Sequence, residues 1–361
     1  MQSVAIVGAG IIGCAIARAL AARGVACAVF DDRPVGGGAT RASAGMLAPY
    51  VEAHERGPLL DLCVRSLDLY DAWIDDVRRE SGVEVEYRRI GTLEIAFDED
   101  HAAEFRSRAR GESPVIRTWL DAAAARRAHP ALAPIAGGLF TPTHGYVSAP
   151  NLASALAAAA ERHGAAFRRS AVQAIAPHGS SLRVTAAEGT VDADSVVLAA
   201  GAWTNRIAGI DTPPLRPVRG QLLQLGSHGR PVSTILWGPD CYVVPRADGS
   251  LLVGATVENV GFDERTTAAG IRALRDAASR LLPESAGAPL LDARAGLRPA
   301  APDDLPVIGP DTNLAGLVHA AGHYRNGVLL APITATLIAD WIVDGRRDPA
   351  FDQFRSDRFA Q

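Results

Sequence analysis

Hydrophobic and polar positions along the chain follow two periods. Val4 to Val7 is an unbroken aliphatic run, the mark of a strand buried on both faces, and a glycine turn over Gly8 to Gly13 follows it. Apolar residues then recur at Ile12, Ile16, Ala19 and Leu20, a helical spacing that Gly24 stops. Ala26 to Phe30 is a second buried-strand run ending at Asp31 and Asp32, so the front of the chain predicts a β-α-β unit. Gly36, Gly37 and Gly38 mark a loop. Leu59 to Val77 places Leu60, Val64, Leu67, Trp73 and Val77 at near-helical spacing, and Val83 to Phe97 alternates as antiparallel strands do.

Asp98 to His129 turns Ala-rich and charged, which predicts surface helices of an inserted domain. Pro150 to His163 predicts a helix with Pro near its start and Gly164 at its end; two strand runs separated by Gly179 then lead to a third buried run, Ser195 to Ala200. Leu215 to Val257 is mostly strand-like, with turn signals at Gly226, Gly229 and Asp248-Gly249, and a helix over 268 to 282 follows. Leu317 to Val343 reads as strand, Gly-rich turn and helix. The expected fold is α/β with two domains, a Rossmann-type nucleotide domain and a second domain built on an antiparallel sheet.

Length and charge narrow the class. With 361 residues, 48% hydrophobic and 21% charged, the chain suits two domains and shows neither disorder nor a basic stripe for nucleic acid; its formal net charge is −4. Cys14, Cys27, Cys63 and Cys241 form no CxxC pair, and the nine histidines show no HxxxH or HxH spacing, so the expectation is reduced thiols and no metal site. The first strand begins too early to leave room for a signal peptide, and the uncharged stretch Gly327 to Ala339 is shorter than the roughly 20 residues of a membrane-spanning helix. A cytoplasmic protein without membrane contact is expected.

Gly8-Ala9-Gly10-Ile11-Ile12-Gly13 matches GxGxxG between strand and helix, where glycines allow a tight turn and bring a pyrophosphate close to the helix N-terminus. Asp31, 23 residues after Gly8, stands where an acid accepts hydrogen bonds from the adenosine ribose; Asp32 is the second candidate. Glycines used only for close packing would leave strand, helix and acid in register by accident. The motif alone does not separate FAD from NAD, which share the ADP half. Asp194 to Gly201 followed by Ala202-Trp203 resembles the second nucleotide-contacting segment of many FAD proteins, and Gly322-His323-Tyr324-Arg325-Asn326-Gly327 opens a helix whose positive end suits the charge of a reduced flavin. Pro332 must lie in the first turn of that helix or kink it.

These segments resemble the glycine oxidase and D-amino-acid oxidase group of FAD enzymes, and within it the glycine oxidases of thiazole biosynthesis. The likeness runs through GAGIIGC (8–14), ASAGMLAP (42–49), VLAAGAW (197–203), PVRGQ (217–221), YVVPRADG (242–249), VGATVENVGFDERTT (253–267), GLRPAAPDDLPVIG (296–309) and GHYRNGVLLAP (322–332). It implies an FAD-dependent amine oxidase fold, with an FAD-binding domain of residues 1–82, 145–212 and 296–361 and a substrate-binding domain of residues 83–144 and 213–295. It further implies that Gly8, Gly10, Ile12, Gly13, Asp31 and Asp32 hold the ADP half, with Val172 meeting adenine through its backbone. Ala44, Gly45, Met46, Leu47, Ala200, Gly201, Trp203, His323, Arg325, Asn326 and Gly327 would complete the cofactor site.

Arg298 would anchor a substrate carboxylate as a bidentate fork, Tyr242 would place its phenol over the substrate, and Arg325 would stand beside the flavin, supporting the carboxylate or the charge on reduced flavin. His323 is read as structural, because hydride transfer from a neutral amine needs no base; Asp303 and Asp304 read as turn residues. Monomeric sarcosine oxidases attach flavin to a cysteine in the stretch matching GLRPAAPDDLPVIG, which has none here, so non-covalent FAD is expected. The implied activity is oxidation of glycine or a similarly small amino acid to an imine or 2-oxo acid, with oxygen reduced to hydrogen peroxide and a possible outlet into thiamine thiazole synthesis. Small D-amino acids or sarcosine as substrate, a quinone as acceptor, a scaffold role in a larger amine-oxidising assembly and homo-oligomers all stay open.

Overall fold

The aliphatic runs that read as doubly buried meet in one sheet. In the computed structural model, which describes residues 2–52, 56–110, 116–227 and 229–359, six strands lie in the order Val307–Pro310, Leu317–Ala321, Ser195–Leu198, Ser3–Val7, Ala26–Phe30 and Ala166–Arg168. All neighbours are parallel except the first pair, which is antiparallel. Alternation along the first strand explains its unbroken apolar run. Val4 and Ile6 pack with the helices Ile11–Ala21, Pro58–Ser81, Ala149–Arg162 and Gly327–Asp344, whereas Ala5 and Val7 pack against Ile175, Leu182 and Val184 of a three-stranded meander. Full burial of side chains such as Ile6, Ile16 and Leu20 contributes about 1.5–3 kcal/mol each.

Gly327–Asp344 is long and apolar enough, by length and composition, to cross a membrane, but here it lies in the core, with Leu330 and Ile338 fully buried. The expectation that this segment is too short therefore needs correcting, since Asp340 and Asp344 extend the helix beyond its uncharged stretch. Pro332 sits inside the helix and donates no hydrogen bond to Val328. The phenol of Tyr70 donates to that orphaned carbonyl instead, and Ser66 Oγ donates to the carbonyl of Leu329 at 2.6 Å. Both come from the helix Pro58–Ser81, which thereby splints its neighbour.

The second sheet has eight strands in the order Leu290–Ala300, Arg216–Leu225, Leu251–Gly254, Tyr242–Pro245, Ile235–Trp237, Thr92–Ala96, Gly137–Thr141 and Thr118–Asp121. The helix Ala268–Leu281 covers one face through Leu274, Ala278 and Leu281. Two expectations change here. The alternating stretch 83–97 is split between two sheets: Tyr87–Arg89 pairs antiparallel with Gly145–Val147 in a small sheet with Met46–Leu47, while Thr92–Ala96, buried at every position, is antiparallel to Gly137–Thr141 on one side but parallel to Ile235–Trp237 on the other. The segment read as surface helices holds Glu99–Arg110 and Ala122–Ala128 but also the edge strand Thr118–Asp121; residues 111–115 of that segment lie outside the described residues.

Leu290–Ala300 pairs with Arg216–Leu225 along its length, from Arg216 opposite Ala300 to Leu223 opposite Ala293. Its far end reaches the turn before the last long helix. Ala300 bridges to His323, and the Tyr324 N–H donates to the Pro299 carbonyl at 3.0 Å.

Candidate active site

One cavity of about 630 Å3 runs from Asp31 and Val172, past Gly10 and Gly201, to Met46, Tyr242, Arg298 and Arg325. At its first end the glycine turn allows a close approach: a Cβ on Gly13 would lie 1.9 Å from the Gly8 carbonyl oxygen, so helix and strand meet only without it. The N–H of Ile11 is taken by Thr40 Oγ1 at 3.1 Å, and the next amides of this first turn have no intrahelical acceptor. They are available to an anion. Asp31 accepts from the N–H of Ala9 at 2.7 Å and of Arg33 at 2.9 Å, so the acid fixes the turn as well as facing the cavity. Burial pushes its carboxyl above the usual range, against the pull of those two amides.

Nearby, the Arg33 guanidinium lies 4.0 Å over the Trp203 ring and pairs with Glu264 at 2.9 Å, and Phe262 packs against the Trp203 ring at a centroid distance of 6.0 Å. The loop carrying Phe262 and Glu264 thus closes against the nucleotide domain.

Arg298 and Tyr242 stand at the other end. Each depends on a neighbouring strand lacking a side chain. A Cβ on Gly220 would lie 2.3 Å from both terminal nitrogens of Arg298, and one on Gly254 would lie 2.3 Å from the Tyr242 hydroxyl. The guanidinium is laid flat across Gly220, with Nη1 donating to the Thr256 carbonyl at 3.0 Å and its remaining donors uncommitted among the described bonds. Tyr242 stacks on Trp237 at 5.6 Å, and burial pushes its phenol up to about 12, opposed by Arg298. His323 Nε2 lies 3.1 Å from Thr334 Oγ1, and burial pushes its imidazole down to about 3, so it is neutral at pH 7.

Of the residues singled out from the sequence, Gly8, Gly10, Ile12, Asp31, Asp32, Ala44, Gly45, Met46, Val172, Ala200, Gly201, Trp203, Tyr242, Arg298, His323, Arg325 and Gly327 line this one cavity. Gly13, Leu47 and Asn326 do not. Gly13 sits behind the turn, Leu47 is fully buried in the core, and Asn326 is the buried residue before the last long helix, its carbonyl accepting from Leu330.

Sequence reasoning missed Thr40, Gly220, Gly254 and Glu52. The last also lines the cavity, in the short helix Pro49–Glu52; its Oε2 is sealed from solvent and has no hydrogen-bond partner. Burial pushes its carboxyl up, while Arg325 and then Arg298 pull it down. No motif marks a lone glutamate, whereas Gly220 stood inside the quoted PVRGQ without a role.

The glycine turn, the helix-end amides, the Asp31 carboxylate facing the cavity and the lining at Ala44 and Met46 fit FAD, and the whole defines a two-domain dinucleotide-binding oxidoreductase. The chain belongs to the DAO family of FAD dependent oxidoreductases, whose model matches residues 3–341. It is 39% identical over 369 aligned residues to the bifunctional protein ThiO/ThiG of Synechocystis sp., covering 99% of this chain but 54% of that relative. The chain spans about half the length of the bifunctional relatives it matches. The crystal structure of glycine oxidase from Geobacillus kaustophilus superposes with a TM-score of 0.92 at 34% identity, covering 100% of both chains. That of iminodiacetate oxidase from Chelativorans sp. gives 0.90 at 26% identity, covering 98% of each.

Proposed function

We propose that this enzyme oxidises glycine or a similarly small primary or secondary amino acid to its imine, with oxygen as acceptor and hydrogen peroxide as product. The observation that carries the proposal is the Arg298 guanidinium, held flat on Gly220, lining the cavity together with Tyr242 and with donors uncommitted among the described bonds. Glycine has no side chain to bury, so its affinity comes from its charged ends. A bidentate pair with Arg298 supplies the handle, and its truncation costs about 2–5 kcal/mol, part of it the penalty of a charge left unpaired.

Bound FAD supplies a two-electron acceptor for the amine carbon. The protein's own groups position the substrate and set its charge state. Arg298 fixes the carboxylate, Tyr242 closes over it, and Arg325 stands at the cavity on the turn before the last long helix. Guanidinium groups close to the amine disfavour its protonated form, so the neutral amine that oxidation requires is the form the pocket selects. His323 takes no part in proton transfer: its pKa is far below 7 and its Nε2 is engaged by Thr334. Asp31, the 8–13 turn and Val172 hold the nucleotide half in the proposed FAD-binding domain (1–82, 145–212 and 296–361), and Arg298 reaches the substrate from a strand shared with the other domain.

Cofactor attachment follows the same logic. Cys241 lines the cavity, but burial pushes its thiol up to about 12, which leaves almost no thiolate to attack a ring. FAD is held without a covalent bond, and acid precipitation should leave the yellow colour in the supernatant.

The deciding experiment is peroxide release from the purified holoenzyme with glycine, sarcosine and D-alanine, repeated with an artificial electron acceptor. Glycine turnover with peroxide is expected. Oxidation of none of the three under either condition would refute the proposal, and turnover only with the artificial acceptor would make the enzyme a dehydrogenase. The likeness to ThiO/ThiG proteins supports delivery of the imine into thiazole synthesis for thiamine.

A further inference from the structure

Among the described residues Glu52 is the cavity-lining acid that lies under the influence of both arginines and that the chemistry above leaves unused; Asp240, beside Tyr242, also lines the cavity but is paired with Arg280 at 2.6 Å. Its surroundings come from four elements. Cys63 faces it from the helix Pro58–Ser81, Tyr242 from the strand Tyr242–Pro245, Arg298 from the strand Leu290–Ala300 and Arg325 from the turn before the last helix. Among these described neighbours only the two arginines carry charge, and Cys63 and Tyr242 are both held protonated by burial. A structural ion pair would show bonded oxygens. Here Oε2 is sealed from solvent with no hydrogen-bond partner, so the carboxylate faces the arginines across the cavity without being tied to them.

The charges can be counted. Arg298 and Arg325 contribute two positive charges, and a monocarboxylate substrate returns one negative charge. Glu52 returns the other. An amine carrying a second carboxylate would add a negative charge that none of the described groups at this end of the cavity balances, and like charges in a poorly solvated space repel strongly. Remove the charge of Glu52 and two guanidinium groups face two carboxylates.

We propose that Glu52 is a specificity-determining residue: it fills with the protein's own carboxylate the place a second substrate carboxylate would take, so that monocarboxylate amines are admitted and N-carboxymethyl amines such as iminodiacetate are turned away. The inference rests on the proposed amine-oxidase reading and names the feature that would separate this chain from a relative of the same fold that takes iminodiacetate.

The test is Glu52→Gln in the FAD-loaded enzyme, comparing kcat/KM for glycine and for iminodiacetate. Binding is read independently of turnover, from the shift of the flavin absorbance on titration with acetate and with malonate. The ratio of iminodiacetate to glycine efficiency should rise roughly 10- to 1,000-fold, with a parallel rise in malonate over acetate affinity. Glu52→Asp keeps the charge and should keep the discrimination. In the wild-type enzyme the malonate-to-acetate ratio should itself rise as pH falls, because protonation neutralises Glu52, and this trend should vanish in Glu52→Gln.

Equal losses on both substrates with an unchanged ratio would overturn the proposal in favour of a role in amine deprotonation. A wild-type malonate-to-acetate ratio flat with pH would also overturn it, and needs no variant to fold. Failure of the wild-type enzyme to oxidise any amine would instead overturn the function on which it rests.

Discussion

Adding one methyl group at Gly220 asks whether Arg298 acts by its position. An ideal Cβ there would stand 2.3 Å from both terminal nitrogens of Arg298 and 2.4 Å from its guanidinium carbon. Ordinary van der Waals contact is about 3.5 Å, so the head group must retreat by roughly 1 Å. The backbone has no objection: Gly220 lies in a regular antiparallel ladder opposite Gly296 and is not among the glycines with positive φ. The obstacle is the mobile end of a long side chain, so the cost to folding is small, and the lower chain entropy of alanine offsets part of it.

The cost to function is not small. A misplacement of about 1 Å in a positioning group lowers rates on the order of 100-fold. Gly220→Ala should therefore lower kcat/KM for glycine by about that factor, chiefly through KM, while FAD content and Tm stay close to wild type. Arg298→Ala should lose roughly 30-fold to several thousand-fold on the same measure. The assay is peroxide release against glycine concentration, with flavin absorbance and a thermal melt on the same preparation. Glycine kinetics within about threefold of wild type, in a variant with full FAD content, would refute the placement of Arg298 as the carboxylate anchor.

Three further outcomes are expected. Asp31→Ala should weaken FAD binding by more than lost ribose contacts alone explain, because the carboxylate also fixes the Ala9 and Arg33 amides; cofactor titration of the apoprotein measures it, and unchanged affinity would move the role to Asp32. Tyr70→Phe orphans the Val328 carbonyl beside Pro332 and should destabilise by about 1–3 kcal/mol in denaturant unfolding, with no change in KM. Asp311 is pushed up by burial, but His319 and the amides of Asn313 and Leu314 outweigh this and hold it below the usual carboxylate range. Its contribution to stability is therefore present above the unfolded-state value and lost as pH falls through the folded one, so Asp311→Asn should flatten the acid limb of a Tm-against-pH profile.

What could be read from the sequence depended on the range of each interaction. The β-α-β unit and Asp31 were legible because strand, turn, helix and acid are set by local spacing, and the resemblance carried Arg298, Tyr242 and the 322–327 turn as whole motifs. Periodicity names no partner: Thr92–Ala96 reads as an antiparallel strand and pairs so with Gly137–Thr141, but its parallel alignment with Ile235–Trp237 leaves no mark in its own alternation. Gly220 and Gly254 act through an absent side chain, and their meaning exists only once Arg298 and Tyr242 lie against them. Glu52 and Tyr70 are isolated polar residues. Their partners stand on segments more than two hundred positions away, at Arg298, Arg325 and Val328.

The strand that carries Arg298 is also tied, two residues on, to the turn that carries Arg325, through the Ala300–His323 bridge and the Tyr324-to-Pro299 hydrogen bond. The interval between the proposed carboxylate anchor and the turn that carries Arg325 is consequently gauged by peptide geometry, which is stiff, and not by side-chain rotamers, which are soft. Pocket walls can be re-lined for a bulkier or more acidic amine without altering that interval. A substrate with its amine one carbon farther from its carboxylate, as in β-alanine, meets a ruler that no side-chain substitution can lengthen.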